Sequence, residues 1–398
     1  MTAASNPRVR PFGRTVIAAL ACMACIAPGL TRPEAVESRA AQSAAKTPAD
    51  AWPSFRGNPQ LSGASGADLP RDLVLVWSFE AGGGIESTAA IKDGAVYVGS
   101  LDGNLYCLSL DTGALKWKYA AGAGIKSSPS VFDGTVYFGD EAGSFHAVDA
   151  SSGSKRWVFA AEAAIVSSAS MVAGKVIFGS NDNHLYALSA SDGTLAWKFA
   201  TGSYVYATPA LDEGASEPTV ISAGCDGFMR RVRVRDGEVL VKIPLGGYVG
   251  ASPAVRGGWA FVGTFENQVL GVDLRKGKIG WTYEHPEKKF PYYSSAALAS
   301  DIVVVGGRDR MIHALKALDG SSIWAYTAGA KVDASPVIVG QRVLAATTGG
   351  DILALGLRQG DLLWRYETGS SIIASPSVAS GRLVIGTAAG HLLAFGGK

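Results

Sequence analysis

Charged residues are scarce in this chain, making up 18% of its 398 residues, whereas about 25% is typical of soluble domains. The 36 basic and 34 acidic side chains nearly cancel and leave a formal net charge of +2. A disordered polyelectrolyte needs a large net charge and few apolar residues, so the composition excludes that class. With so little net charge there is no overall field to attract nucleic acid, and we expect no nucleic-acid partner.

Cysteine is also scarce, with four in the whole chain. Cys22 and Cys25 lie near the N-terminus, whereas Cys107 and Cys225 are far apart in the body of the chain. A single disulfide between two distant cysteines cannot stabilise a fold of this length. The sequence therefore excludes a fold that is built on disulfides.

Long hydrophobic runs are missing too. The apolar stretch at residues 15–30 contains a Pro-Gly pair and is too short for a membrane span. It follows three arginines, and a basic segment before a short apolar one is typical of a secretory signal. We therefore predict that residues 1–40 are a signal peptide with the start of a linker. The mature chain would be exported to the periplasm or the extracellular space without a transmembrane span, and a lipid anchor through Cys22 stays open as the alternative.

Glycine, by contrast, is abundant. The 50 glycines amount to about 13% of the chain, nearly twice the average of about 7%. They show no period of three, which excludes a collagen-like chain. A glycine-rich and charge-poor sequence with many valines and tyrosines is typical of short strands joined by tight turns. The composition therefore predicts an all-β protein.

Tryptophan marks an internal repeat of about 40 residues. Seven tryptophans follow this spacing, and Val241 occupies the place of a missing one. Within one unit, Asp93-Gly94 and Asp102-Gly103 separate short β-rich runs, and Asp-Gly is a strong hairpin signal. Each unit therefore contains four strands. The seven tryptophans are Trp77, Trp117, Trp157, Trp197, Trp281, Trp324 and Trp364.

Four-stranded units that recur every ~40 residues are typical of β-propeller blades. Residues 73–79 have the pattern of a fourth strand with no three strands before it, whereas the last unit, 372–395, has three strands and no fourth. We therefore predict that residues 73–398 form an eight-bladed β-propeller of four-stranded antiparallel blades. The N-terminal strand would complete the last blade, which removes an open edge. Residues 41–72 are predicted to be a lead-in segment.

The motif Asp111-Thr112-Gly113, followed by Trp117, Ser127-Ser128-Pro129 and 136–139, resembles the pyrroloquinoline-quinone (PQQ)-like repeat. The resemblance covers residues 73–398. It implies one of two kinds of protein. One is the quinoprotein alcohol dehydrogenases, which bind PQQ and calcium. The other is the non-catalytic propellers, which include the BamB-type lipoproteins that scaffold outer-membrane protein assembly.

The features that this resemblance associates with catalysis are missing from the sequence. The dehydrogenases carry two adjacent cysteines over the cofactor, whereas Cys107 and Cys225 belong to different units. His146 and His313 fall at one position of two non-adjacent units, so they cannot converge on a metal.

We therefore predict a non-enzymatic, monomeric binding or scaffold module of the cell envelope. It would have a protein or peptide partner and no cofactor. A PQQ- and calcium-dependent dehydrogenase and a small-molecule sensor that uses the central channel remain alternatives.

Two sets of residues are candidates for binding. The first lies where the first strand of each unit begins, which faces the central channel of a propeller and its adjoining loops. Its mixture of aromatic and charged groups suits a small ligand or a peptide, although these residues could instead only fill the channel. This set comprises Glu86, Lys126, Tyr204, Tyr206, Tyr248, Tyr292, Tyr293 and Asp333.

The second set is Arg231, Arg233 and Arg235, in the unit that lacks its tryptophan. Alternate residues of a strand share a face, so the three guanidinium groups would project together as a stripe for an anionic partner. Salt bridges to acidic residues of the same unit are the alternative.

Overall fold

Short strands, and no helices, make up residues 48–397, which are the residues described by the computed structural model of this protein. The signal-peptide prediction for residues 1–40 lies outside them. Asp93 and Gly94 both have a positive φ, of 51° and 68°, as a two-residue hairpin turn requires. None of the described residues belongs to a helix that is long and apolar enough to cross a membrane.

The strands form eight sheets, which we number as blades 1 to 8. Preceding the first blade are β1 (Ala64–Ser65) and β2 (Val74–Glu80). Blade 1 contains β3 (Ala90–Lys92), β4 (Ala95–Gly99), β5 (Asn104–Ser109) and β6 (Leu115–Ala120), and blade 2 contains β7 (Ser130–Phe132), β8 (Thr135–Gly139), β9 (Ser144–Asp149) and β10 (Lys155–Ala160). Blade 3 contains β11 (Ser170–Val172), β12 (Lys175–Gly179), β13 (His184–Ser189) and β14 (Leu195–Ala200), and blade 4 contains β15 (Ala210–Asp212), β16 (Thr219–Ala223), β17 (Phe228–Arg233) and β18 (Val239–Pro244). Blade 5 contains β19 (Ala254–Arg256), β20 (Trp259–Gly263), β21 (Val269–Asp273) and β22 (Lys278–Tyr283), and blade 6 contains β23 (Ala297–Ala299), β24 (Ile302–Gly306), β25 (Met311–Lys316) and β26 (Ser322–Thr327). Blade 7 contains β27 (Val337–Val339), β28 (Arg342–Ala346), β29 (Asp351–Gly356) and β30 (Leu362–Glu367), and blade 8 contains β31 (Ser377–Ala379), β32 (Arg382–Gly386) and β33 (His391–Gly396).

Successive strands of a blade pair antiparallel, and the first strands of neighbouring blades lie against one another around the centre. In blade 8 the fourth strand is β2, which pairs with β33 in a register that places Trp77 opposite Ala394. The predicted eight-bladed propeller, closed by the N-terminal strand, is therefore confirmed. Blade 7 differs from the prediction because β1 adds a fifth strand, parallel to β27.

A closed ring of hydroxyl groups joins the eight blades near the centre. In each blade one backbone amide donates a hydrogen bond to the Ser or Thr hydroxyl of the next blade, at 2.8–3.3 Å, and Ser375 donates back to Thr88. This hydroxyl ring satisfies amides that no sheet partner could reach. Its members are Thr88, Ser128, Ser168, Thr208, Ser252, Ser295, Ser335 and Ser375.

The lead-in segment crosses the inner strands of the propeller. Trp52 exchanges two backbone hydrogen bonds with Ile91 of blade 1, at 2.7 and 2.8 Å. Carbonyl groups farther along the segment accept amides from five more blades, and Ala49 accepts one from blade 8. The segment therefore pairs with inner-strand amides that would otherwise be left without a partner. The remaining donor–acceptor pairs are Val131–Pro53, Leu211–Pro59, Val255–Gln60, Leu298–Ser62 and Ile338–Gly63.

Arg56 of the lead-in segment is fully buried, and its Nη2 donates to the carbonyl oxygen of Ala296 at 2.8 Å. Burial lowers the pKa of its guanidinium to about 9. The guanidinium lies directly against Gly63, where a Cβ would fall 1.8 Å from Nη2. Only glycine fits at that position, which also has a positive φ of 61°.

Candidate functional site

One face of the propeller carries two sets of loops that hydrogen-bond to each other. The loops that lead into the first strands accept amides from the loops between the second and third strands. Examples are Cys225 to Tyr204 at 3.1 Å and Phe265 to Tyr248 at 2.9 Å. We call this the upper face. The channel-opening residues predicted from the sequence lie on the same leading loops.

Glu86, Lys126, Tyr206, Tyr293 and Asp333 are all half-buried at the start of their blades. Lys126 Nζ lies 2.7 Å from a carboxylate oxygen of Glu141 in the adjoining loop. The hydrogen bond from this ammonium and the charge of Glu141 raise the pKa of Lys126, although burial opposes them. Lys126 is therefore engaged with its neighbour Glu141.

Tyr293 is the middle of a chain of contacts across three blades. The ring of Phe265 lies 4.5 Å from its ring, and the guanidinium of Arg308 lies 3.6 Å from its centroid. Arg308 donates two hydrogen bonds to Asp333, each at 2.9 Å. Phe265 and Arg308 were not predicted from the sequence to belong to the site. Both nevertheless lie at the same position of the repeat, two residues after the second strand.

Tyr292 lies apart from the other candidates. It is 1% exposed and packs in the core between blades 5 and 6, where burial raises the pKa of its hydroxyl. The repeat explains this position, because Tyr292 is equivalent to the buried Ile85 and Ile125. A ligand in the channel therefore cannot reach Tyr292. The prediction that Tyr292 belongs to the channel-facing set is wrong.

Acidic residues of blade 4 neutralise the arginine stripe. Arg231 forms an ion pair with buried Asp212, at 2.8 Å. Arg235 lies beyond the end of β17, is 73% exposed at its side chain, and approaches Asp236 at 3.4 Å. The arginines of the stripe therefore form ion pairs within their own blade, which was the alternative to a stripe for an anionic partner. Only Arg235 of the three remains largely accessible. The acids around Arg233 are Glu217, Asp236 and Glu238.

A cavity of about 650 Å³ lies on the upper face at blade 4, and we call it the blade-4 pocket. Arg230, on the opposite face of β17 from the stripe, pairs through both Nη atoms with Asp226. Lys242 Nζ stands 3.9 Å over the ring of Phe228. The sequence did not predict this pocket. Its lining residues are Ala200, Thr201, Gly202, Ser203, Cys225, Asp226, Phe228, Arg230, Lys242, Tyr248 and Phe265.

The pKa values of two groups of the pocket, Asp226 and Cys225, are shifted in opposite directions. Burial opposes ionisation of Asp226, but the hydrogen bonds from Arg230 still hold the pKa of that carboxyl below its usual range. Burial, followed by the charge of Asp226, raises the pKa of the Cys225 thiol. Cys225 is therefore a neutral thiol rather than a nucleophilic thiolate.

Two of the five histidines are buried and pair with aspartates. His146 Nε2 lies 3.0 Å from Asp140, and His313 Nε2 lies 2.9 Å from Asp309, all within the core. Within residues 48–397, no three His, Cys, Asp or Glu side chains are grouped so as to hold a metal ion. Cys107 and Cys225 are both free thiols, in blades 1 and 4.

Residues 70–203 and 209–395 match the family described as outer membrane protein assembly factor BamB, whose model is built on PQQ-like repeats. This chain belongs to that family. Its members share the blade repeat found here, so the resemblance noted in the sequence is confirmed. No curated protein sequence matches the chain at a significant level.

Solved structures share the fold of this BamB-family chain at low sequence identity. BamB from Moraxella catarrhalis is 20% identical, with 82% of this chain and 98% of that chain covered and a TM-score of 0.70. A quinohemoprotein alcohol dehydrogenase from Comamonas testosteroni is 13% identical, with 87% and 80% covered and a TM-score of 0.76. The computationally designed protein Ika8 is 17% identical, with 81% and 99% covered and a TM-score of 0.70. These likenesses establish the propeller and leave the function to the site.

Proposed function

We propose that this chain is an exported, non-enzymatic scaffold of the cell envelope that binds a protein or peptide partner, as a monomer, on its upper face. The observation that carries the proposal is a group of exposed aromatic side chains. Tyr204 is 46% exposed, Tyr248 57% and Phe290 49%, on the loops that lead into blades 4, 5 and 6. Aromatic side chains on neighbouring loops bury a large area at low entropic cost, which is typical of protein-binding surfaces.

Two further observations support an envelope role. The family model that matches the chain is described as that of an outer membrane protein assembly factor. In addition, residues 1–40 have the composition of an export signal. We therefore place the scaffold in the periplasm or outside the cell and infer a role in assembling outer-membrane proteins.

Site-specific photocrosslinking in cells tests the proposal. A photoreactive residue at Tyr248 is expected to capture a discrete envelope protein. The same residue at Leu363, which is exposed on the outer strand of blade 7, is expected to capture none. Cell fractionation gives the compartment in the same experiment. If position 248 captured nothing, or captured the same proteins as position 363, the upper-face proposal would be overturned.

A PQQ- and calcium-dependent dehydrogenase is the second candidate, because such enzymes share the fold. The described residues do not fit that cofactor set, since Cys107 and Cys225 lie three blades apart and no cluster of metal ligands accompanies them. We expect the full chain to reduce no dye when PQQ, Ca²⁺ and alcohols or sugars are added. Saturable turnover would replace the scaffold proposal with an enzymatic one.

A further inference from the structure

The blade-4 pocket lies beside one position of the third strand at which blade 4 alone carries a charged arginine. Blades 1, 2, 3 and 6 place a ring there, and blades 5, 7 and 8 place a leucine. Tyr106 and Tyr186 each pack edge-on against an aromatic residue of the preceding blade, at 5.2 and 5.6 Å. In blade 4 the residue is Arg230, which pairs with Asp226 just as Tyr106 and Tyr186 hydrogen-bond to Asp102 and Asp182. Arg230 therefore keeps the bond to the loop aspartate as a salt bridge but contributes no ring to an inter-blade aromatic contact.

The charges and walls of the pocket define what it can hold. Its charged lining residues are Asp226, Arg230 and Lys242, two positive and one negative, so the lining carries a net charge of +1. Since Arg230 and Asp226 neutralise each other, Lys242 provides that charge. Lys242 is exposed, whereas Arg230 and Asp226 are largely buried. Phe228, Tyr248 and Phe265 add aromatic walls to this single ammonium group.

The pocket and the exposed tyrosines form one surface. Tyr248 lines the pocket and Tyr204 stands on the loop beside it, and about half of each side chain remains exposed. A small molecule within about 650 Å³ would leave the ring of Tyr204 in water, whereas a peptide segment would cover it together with Tyr248. The volume itself lies within the usual range for binding pockets, roughly 300–1,000 Å³.

We propose that the blade-4 pocket takes the carboxylate of an acidic side chain, flanked by apolar residues, from a peptide segment of the partner. The carboxylate accepts a hydrogen bond from the ammonium of Lys242, and the neighbouring apolar side chains contact Phe265 and Tyr248. This inference rests on the proposed scaffold function and specifies the chemistry of the partner.

Selection of random short peptides displayed on phage, with the full chain immobilised, tests the proposal. We expect the selected peptides to be enriched in Asp or Glu next to apolar residues. Lys242→Gln is expected to weaken their binding roughly tenfold, because a charge-assisted hydrogen bond is lost. Lys198→Gln is the matched control, because Lys198 holds the equivalent position in blade 3, over Tyr186, and it should leave binding unchanged.

Cys225 provides a second measurement. Because it lines the pocket, a bound peptide should slow its alkylation, as followed by mass mapping of the fragment that contains it. Equal binding by the two lysine variants, or peptides without an excess of acids, would overturn the inference while crosslinking at position 248 could still support the scaffold. Displacement of the peptide by an equal concentration of succinate would also overturn it, in favour of a small carboxylate ligand.

Discussion

In blades 1, 2 and 6, two neighbouring hydroxyl residues of the repeat have different structural roles. The hydroxyl of Ser127 donates to the carbonyl of Gly139 at 2.7 Å and accepts the amide of the same glycine at 2.8 Å, which ties two strands of one blade. The hydroxyl of Ser128 accepts an amide of the preceding blade. The Ser-Ser pair of the repeat thus stabilises a single blade through its first member and the ring of blades through its second.

The loop aspartates are a second residue-scale device. Asp182 accepts hydrogen bonds from the hydroxyl of Tyr186 at 2.6 Å and from the amides of His184 and Glu162 at 3.0 and 3.1 Å. Burial opposes its ionisation, but these bonds hold the pKa of Asp182 below its usual value. One carboxylate therefore fastens a loop, a strand and the preceding blade.

Asp182→Asn is expected to reduce the acid dependence of stability. Because the pKa of Asp182 is depressed in the folded state, its contribution is complete above the unfolded value of about 3.9 and is lost as pH falls through the folded pKa. The variant should be less stable near neutral pH and lose less stability on acidification, as measured by urea unfolding across acidic pH. Asp111→Asn, at an exposed position, is the control. Parallel pH profiles for the Asp182 variant and the native chain would contradict this account.

At the scale of the element, the fourth strand of every blade except blade 7 docks on a glycine turn of the next blade. Trp117 Nε1 donates to the carbonyl of Ala150 at 3.1 Å, and its ring covers Gly153. A Cβ on Gly153 would fall 2.7 Å from that ring. In the irregular unit, Val241 faces Gly277, and a Cβ there would lie at an ordinary 3.4 Å. The glycine is therefore required by the tryptophan as well as by the turn.

Gly153→Ala and Gly277→Ala form a matched pair that separates these two requirements. Both positions have a positive φ, of 73° and 64°, which costs an alanine roughly 1–2 kcal/mol. Gly153→Ala must also displace the indole of Trp117, and overpacking of this kind costs about 1–3 kcal/mol more. Urea unfolding should therefore show a larger loss of free energy for Gly153→Ala. Equal losses would mean that the indole moves without cost.

For the whole molecule, three features hold the propeller together. The hydroxyl ring joins all eight blades, β2 completes blade 8 against β33, and the lead-in segment hydrogen-bonds to the inner strands of six blades and to a turn of blade 8. The first two hold the ring shut. The third covers strand edges within the channel, so we expect it to contribute stability rather than closure.

Two N-terminal deletions distinguish closure from stabilisation. Removal of residues 1–80 deletes β2 and leaves β33 as an open edge, which should cause self-association, seen by size-exclusion chromatography. Removal of residues 1–66 keeps β2 and deletes the lead-in pairing, so this protein should elute at the size of the full chain and melt at a lower temperature. If the 1–80 deletion also kept its size and Tm, β2 would not be the closing element.

The sequence by itself determined the number of blades, their four strands and the closing role of residues 73–79. These features are local, because hairpin turns and strand periodicity are encoded within each unit of about 40 residues. The same repeat also contained enough information to place Tyr292 in the core, through its equivalence to Ile85.

The tertiary structure alone decided where the accessible chemistry lies. The blade-4 pocket is assembled from residues near 200, 225, 242 and 265, which belong to three successive blades. Arg230 faces this pocket, while Arg231, its neighbour in sequence, is paired with Asp212. Alternation along a strand predicts which arginines share a face, but the charge left on that face depends on acids that only folding brings within reach.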